Sequence, residues 1–317
     1  TANGWIICCV HWSCLYGLAG MARALSQYPT RPHRCTGVSV AGALAAWSDW
    51  AVEPHLTNKP TIACTLQSGS SHSVVKVCDE TPQGARDFVI RFSDADRESL
   101  APDTAVELRL LTLASAHGLA PKVLWRSDDD KTLVMEYIAP HSAPHSAQMT
   151  AESLSVLIKG IHRLSASDAK IDLTRQLQHY THSARLRGID DELLIDPTHP
   201  ALKAALAALA SDRDVLCHND LHPGNILQSG NGLVAIDWEY AGMGSAYFDL
   251  AVALDNWPSV DRHELLEHVI GAGYSRELIR SAQCVYAAIE WNWYCASGTL
   301  APEKLSRTRV LNMLAKL

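Results

Sequence analysis

The 317-residue sequence predicts an α+β fold in two lobes, a small antiparallel β-sheet lobe followed by a mostly helical one. Three observations predict it. Runs rich in β-branched and aromatic residues, bounded by turn residues, occupy much of 61–138. From Thr150 onward, apolar residues return at helical spacing. One polar stretch, Val215 to Ala251, interrupts those helices with strand, loop, strand and an acidic turn before helix resumes. The chain divides accordingly into an atypical extension or linker (1–40), a β-rich lobe (41–138) and a helical lobe (139–317).

Composition narrows the function classes. With 47% hydrophobic and 19% charged residues the chain is globular and has material for a sizeable core. A net charge of −7 carries no nucleic-acid footprint, so a nucleic-acid partner is not expected. Nine scattered cysteines, odd in number and without C-x-x-C, suggest neither a disulfide framework nor a zinc site, and a reduced cytoplasmic setting is expected. Gly4 to Ala22 holds no charged residue, but no basic region precedes it, and His11, Ser13 and glycines interrupt it. It therefore reads as neither signal nor membrane segment, and no membrane partner is expected. The chain begins at Thr1 and its first methionine is Met21, so the residues before Met21 are read as an upstream start or cloned fragment outside the mechanism.

The elements follow in order. Ala41 to Val52 is a short helix ending at Pro54. Strands are expected over Thr61–Gln67, Ser73–Cys78, Asp87–Phe92, Val123–Trp125 and Thr132–Ile138, which makes a five-stranded antiparallel lobe. One helix joins it, Thr104 to His117, with Val106, Leu110, Leu113 and Ala114 on one face and Gly118 as the stop. Pro140 to Ser146 is loop. Leu154, Leu157, Ile158 and Ile161 then mark a helix, followed by helices over 173–187, 200–210, 249–256, 261–271, from Ser275 onward, and 304–317. His162, at the end of its helix, reads as a core or surface histidine rather than a catalytic one.

The chemistry concentrates in the polar stretch. Asp220 is followed five positions later by Asn225, and an apolar strand, Leu233 to Ile236, delivers Asp237 at its end. Asp and Asn are also ordinary turn residues. Here, however, two carboxylates and a carboxamide sit on short connections between strands, which suits phosphoryl transfer from Mg-ATP. One carboxylate accepts or orients a hydroxyl proton, the other holds metal, and the amide oxygen completes the metal shell. His218 to Asn225 also matches the kinase catalytic-loop spacing H-x-D-x-x-x-x-N.

These residues carry a resemblance. CHNDLHPGNIL, followed by IDWEYAG and FDLA, resembles the aminoglycoside phosphotransferase and choline kinase superfamily, and the IDWEYAG form is most similar to the choline kinase and thiamine kinase branches. The resemblance spans about residues 60 to 300, strongly in the second half and loosely in the first. It implies a protein-kinase-like two-lobe fold with the nucleotide between the lobes, and ATP and Mg²⁺ as cofactors. It makes Asp220 the catalytic base, Asn225 and Asp237 the magnesium ligands, His218 a support of the loop and Asp249 its brace from the following helix.

On the nucleotide side, Ser68, Gly69, Ser70 and Ser71 form a small-residue turn that in a kinase lobe covers the phosphates with backbone N–H groups, though one glycine in a hairpin is also simply a hairpin. Arg91 stands where protein kinases carry lysine, with Glu107 as its natural partner or else as a surface carboxylate. Met135, Glu136 and Ile138 fall where the family's hinge receives adenine. For the acceptor, Trp291 and Tyr294 share a helix face, Trp257 follows Asp249 closely, and Glu239, Asp255 or Glu290 supply carboxylates for a cation. The same aromatic stripe is also what a core would show, and Trp238 is expected to pack beside the metal site. The expected activity is transfer of the ATP γ-phosphoryl group to the hydroxyl of a small cationic alcohol of choline or thiamine type. The alternatives are an aminoglycoside or other small-molecule kinase and a catalytically silent nucleotide-binding module.

Overall fold

The computed structural model describes residues 38–68, 72–81, 84–93, 104–139, 149–165 and 169–317. The expected extension up to residue 37, Gly69 to Ser71 of the expected phosphate turn and the expected loop from Pro140 to Ser146 lie outside the described residues. The described residues before 100, together with Pro121–Tyr137, form one compact unit, and those of 104–120 and from Ile138 onward form another.

The first unit opens with helix α1 (Val38–Ala45) and contains strands β1 (Thr61–Ser68), β2 (His72–Thr81), β3 (Gly84–Ser93), β4 (Val123–Arg126) and β5 (Thr132–Glu136). They form the expected five-stranded sheet, in the order β1-β2-β3-β5-β4 with every neighbouring pair antiparallel. Strand alternation puts Phe88, Ile90 and Phe92 on one face of β3, where they bury with Val40, Ala43, Leu44, Trp50 and Val52. Trp50 anchors this core: its ring meets Phe88 edge-on at 5.5 Å and its indole N–H donates to the Ala43 carbonyl at 3.2 Å. The helix expected over Ala41–Val52 begins earlier and stops at Ala45, followed by a 3-10 turn at Trp47–Asp49. The sheet supplies the competing partner, since the Ala51 N–H goes to the Leu124 carbonyl at 2.8 Å.

In the second unit, α2 (Thr104–Ala116) ends at Gly118, whose φ of +71° suits a residue without Cβ. The sequence places this helix with the strands, but it groups with the helical unit. The following residue shows why: the Leu119 carbonyl accepts the Ala235 N–H at 2.8 Å, and a Cβ on Gly160 would meet Leu119 Cδ2 at 2.7 Å. Helix α3 (Ala151–His162) starts with a capping box of Thr150 and Ser153 and buries Leu154, Leu157, Ile158 and Ile161. There follow α4 (Leu173–Leu186), α5 (Pro200–Ala210), α6 (Ala246–Asn256), α7 (Arg262–Val269), α8 (Arg276–Ser297) and α9 (Arg307–Leu314). The long α8 packs against α4, α5, α6 and α9. Its fully buried Asn292 accepts the Ile195 N–H at 2.9 Å and donates to Thr181 Oγ1 and the Ile195 carbonyl, both at 2.9 Å. A buried amide is tolerated because it is bonded on both sides.

Two short antiparallel pairs carry the polar stretch, β6 (Asp214–Cys217) with β9 (Gly242–Ser245) and β7 (Ile226–Ser229) with β8 (Gly232–Ala235). Among the described residues no helix is long and apolar enough to cross a membrane.

Candidate active site

The loop over 218–225 leaves β6 and enters β7. Asn219 within it adopts a left-handed backbone, φ +65°, which Asn tolerates better than most residues, and its side chain donates to the Tyr240 carbonyl at 2.9 Å. The loop is tied to α6, whose cap Ser245 accepts the Tyr247 N–H at 3.2 Å and donates to Asp212 Oδ2 at 2.6 Å. That start places Asp249 in the first turn, fully buried. Asp249 Oδ1 accepts the Asn219 N–H at 2.6 Å, and Oδ2 accepts the His218 N–H at 3.2 Å. A third group, His162 Nε2 on α3, lies 3.0 Å from Asp249 Oδ2. His218 is fully buried, its Nε2 lies 3.1 Å from the Ile236 carbonyl, and its ring meets Trp238 edge-on at 4.9 Å. Burial depresses its pKa, so the ring is neutral with Nε2 as donor.

Asp220 and Asn225 are joined directly. Asn225 Nδ2 donates to Asp220 Oδ2 at 2.7 Å and to the Asp220 carbonyl at 3.1 Å. A carboxylate only accepts, so this contact fixes which end of the amide is nitrogen, and Oδ1 of Asn225 is the end turned from Asp220. The Ile236 N–H donates to the Asn225 carbonyl at 2.9 Å, and Ile226 pairs with Ala235. This register sets Asn225 and Asp237 at the same end of the β7–β8 hairpin. Asp237 itself has φ +64° and ψ +69° and leads into a 3-10 turn at Trp238–Tyr240. A carboxylate and an amide oxygen there are a hard oxygen donor set, which fits Mg²⁺.

His222 completes the loop. Its Nδ1 accepts the Gly224 N–H at 3.0 Å, so Nε2 carries the proton, 3.5 Å from Asp220 Oδ2. Burial opposes a charge on this ring, but the Asp220 carboxylate, with Asp237 and Glu290 beyond it, outweighs burial and raises the pKa above the ordinary histidine value. Tyr180, held by Gln176 Nε2 at 3.2 Å, hydrogen-bonds Tyr240. Burial first, with the charges of Glu239 and Asp220 adding to it, pushes the Tyr180 hydroxyl up to about 12.

The residues expected at the acceptor distribute differently. Trp257 is 1% exposed and donates its indole N–H to the Leu221 carbonyl at 3.0 Å, so it braces the loop from the core. Trp291 donates to the Leu193 carbonyl at 2.8 Å, and buried Tyr294 meets Trp293 edge-on at 5.0 Å. Asp255 is matched within the chain by Lys304 Nζ at 2.7 Å and Arg309 Nη2 at 3.0 Å. One turn of α8 before Trp291's neighbour Glu290 stands Tyr286, whose hydroxyl accepts Asn256 Nδ2 at 3.0 Å. Burial, then the negative charges of Asp255 and Asp220, push Glu290 up to about 7 against the opposing Lys304 and Arg309. On α8, Tyr286 and Glu290 both feel the Asp220 charge.

In the first unit, Arg91 lies on β3 with its backbone opposite Val74 and Leu133. Ser68 closes β1, and the rest of that turn lies outside the described residues. Met135 is in the β5 ladder, the Glu136 N–H donates to the Lys122 carbonyl at 3.0 Å, and the Glu136 side chain accepts the Lys122 N–H at 2.9 Å. Ile138 and Glu107 belong to the other unit, where Glu107 is buried rather than a surface carboxylate.

Sequence reasoning set His162 aside and gave no part to His222 or Tyr180 in the site. For His162 the available signal was its place four residues after buried Ile158, on the core side of α3. His222 lay inside the motif itself, and what singles it out is its contact with Asp220.

Compared with known proteins, residues 63–282 match the model of the phosphotransferase enzyme family. The protein LicA homolog of Mycoplasma capricolum subsp. capricolum is 27% identical over 168 residues, 49% of this chain and 68% of that protein. A thiamine kinase of Escherichia coli is 44% identical over 50 residues, 16% of this chain and 17% of that protein. The crystal structure of choline kinase LicA from Streptococcus pneumoniae superposes with a TM-score of 0.62 at 20% identity, covering 81% of this chain and 94% of that one. The two share a kinase-like fold.

Proposed function

We propose that this chain, which belongs to the phosphotransferase enzyme family and is a small-molecule kinase, moves the ATP γ-phosphoryl group to the hydroxyl of a small cationic alcohol of choline or thiamine type. The observation that carries the reading is the Asn225–Asp220 hydrogen bond of 2.7 Å, which holds a carboxylate in one orientation at the head of a braced loop. In this reading Asp220 accepts or orients the proton of the attacking hydroxyl, and His218 and Asp249 keep the loop in place. Asn225 Oδ1 and the Asp237 carboxylate would hold Mg²⁺, which when bound neutralises charge on the phosphate oxygens. Arg91, with a planar fork of donors, is assigned to phosphate oxygens, while the backbone around Met135 and Ile138 is assigned to the adenine.

The cationic acceptor is favoured by the charge around Asp220. Asp237, Glu239 and Glu290 all act on the groups about it, whereas the cations Lys304 and Arg309 are already engaged with Asp255. Glu290 is therefore preferred over Asp255 as the partner of the acceptor's positive charge, with Tyr286 beside it.

The test is ATP consumption with Mg²⁺ against choline, ethanolamine, thiamine, homoserine, methylthioribose and kanamycin, run beside Asp220→Ala. Turnover on a cationic alcohol, lost in the variant, is expected. Turnover confined to kanamycin or methylthioribose would keep the mechanism and remove the acceptor assignment. No turnover and no Mg-ATP binding would remove the reading itself.

A further inference from the structure

We infer that Lys76 is a positioning residue for nucleotide binding: held by Asp87 against the ring of Tyr137, it fixes the chain where β5 ends and so sets the affinity for the nucleoside part of ATP. The inference rests on the assignment of adenine to the backbone around Met135 and Ile138. Alternation divides the five-stranded sheet into two faces. One face carries Phe88, Ile90 and Val134 into the buried core. The opposite face carries Arg91, Val89 and Asp87 along β3, with Lys76 and Met135 flanking Val89. At about 3.3 Å per residue, Arg91 and Asp87 stand roughly 13 Å apart along the strand. The phosphate assignment at Arg91 and the adenine assignment beyond Met135 thus fall toward opposite ends of one face, and Lys76 belongs to the adenine end.

Tyr137 lies one residue past the end of β5 at Glu136. Its N–H donates to the Asp87 carbonyl at 3.3 Å, longer than a usual ladder bond. Side chains reinforce that bond. Lys76 Nζ lies 2.7 Å from Asp87 Oδ2 and 4.3 Å from the centroid of the Tyr137 ring. The hydrogen bond to Asp87 raises the Lys76 pKa against the burial that opposes it, so the ammonium stays charged over the ring. Asp87 therefore holds Tyr137 twice, by its carbonyl and, through Lys76, by its carboxylate. A solvated lysine–carboxylate pair would contribute little. Here the two side chains are only 22% and 30% exposed, and the ammonium engages a third group. The closed triangle extends the β3–β5 ladder by one residue, into the backbone assigned to the base.

The test is equilibrium titration of the full chain with adenosine, Mg-ATP and inorganic tripolyphosphate. Lys76→Met keeps the stem and removes the charge. It should weaken adenosine and Mg-ATP by the same factor, roughly three- to tenfold, with tripolyphosphate unchanged. Lys76→Arg should bind like wild type, since a guanidinium pairs with a carboxylate and stacks on an aromatic face. Tyr137→Leu, which removes the ring and keeps Lys76, should match Lys76→Met. Amide exchange at Tyr137 should rise in Lys76→Met, while that of Glu136, bonded to the Lys122 carbonyl, stays as in wild type. On an active acceptor, KM for Mg-ATP should rise by the factor seen in binding while kcat holds. Unaltered adenosine affinity in Lys76→Met, an equal loss of tripolyphosphate, or no recovery in Lys76→Arg would overturn the assignment. A wild type that binds neither adenosine nor Mg-ATP would remove the nucleotide reading and this assignment with it. Unaltered variant binding beside a wild type that binds would remove this assignment alone.

Discussion

Asn225 directs its amide nitrogen to Asp220, 2.7 Å from Oδ2, so one contact both orients the Asp220 carboxylate and turns the amide oxygen the other way. Replacing it by Asn225→Asp sets two carboxylates against each other. Like charges at that distance cannot both ionise easily, and the pair takes up a proton at higher pH than a lone carboxylate. The turnover rate at pH 7 should fall by roughly a hundredfold or more, and the acid limb of the kcat/KM profile should move to higher pH. A profile identical in shape to wild type would count against Asp220 as the base.

Glu290 links protonation to stability. Its carboxyl, ordinarily near 4.5, is held at about 7 by burial and then by Asp255. The folded protein therefore holds this proton more tightly than the unfolded chain. The group's stabilising contribution is fully present below about pH 4.5 and is lost as pH rises through about 7. Glu290→Gln should exceed wild type in stability at pH 8 by up to about 3 kcal/mol, with the difference shrinking toward pH 5, as urea unfolding at the two pH values will show.

The same variant should raise KM for a cationic acceptor while leaving KM for Mg-ATP in place. Steady-state kinetics above pH 7, where wild-type Glu290 is ionised, give the largest contrast. An unchanged acceptor KM would remove Glu290 from the pocket.

Trp257→Phe keeps one aromatic ring but deletes the fused pyrrole, with its volume and its N–H donor to the Leu221 carbonyl. Leaving that buried carbonyl short of a partner, together with the void left by the pyrrole, should cost about 1–3 kcal/mol of stability and lower kcat a few-fold. Acceptor KM should not move, because Trp257 acts on the loop from the core; a large rise in KM would restore it to the acceptor site.

Arg91→Ala should raise KM for Mg-ATP by roughly tenfold or more, the scale of losing charge-assisted bonds to phosphate. Arg91→Lys should recover only part of this, since a point charge cannot replace a bidentate fork. Titration with ATP and with adenosine separates the roles: adenosine binding should be unaffected.

The strand context of the polar stretch was legible in the sequence. The short strands that flank Asp220, Asn225 and Asp237 were legible because they are dictated locally, and the five-stranded sheet was legible because alternation and turn residues act within a few positions. The contacts just after α2 were not, because the Leu119 carbonyl meets Ala235 and Leu119 lies over Gly160, residues far apart along the chain.

The aromatic residues show the limit most clearly. That Trp291 and Tyr294 share a face of α8 follows from helical geometry alone. Which face turns toward Asp220 is set by how α8 packs among α4, α5, α6 and α9, and that rotation presents Tyr286 and Glu290 to the Asp220 charge and ties Trp291 to Leu193. Likewise, sequence identified Asp249 as a brace by resemblance, whereas its bond to His162 exists only because α3 and α6 bring residues 87 positions apart to within 3.0 Å. By itself the sequence determined the family, and with it the reaction class, and the short strands around Asp220, Asn225 and Asp237, since a motif and its flanking strands need only local spacing. The tertiary structure decided which carboxylates keep a matched charge and which are left buried with a raised pKa, because desolvation and charge pairing depend on packing between elements remote in the chain.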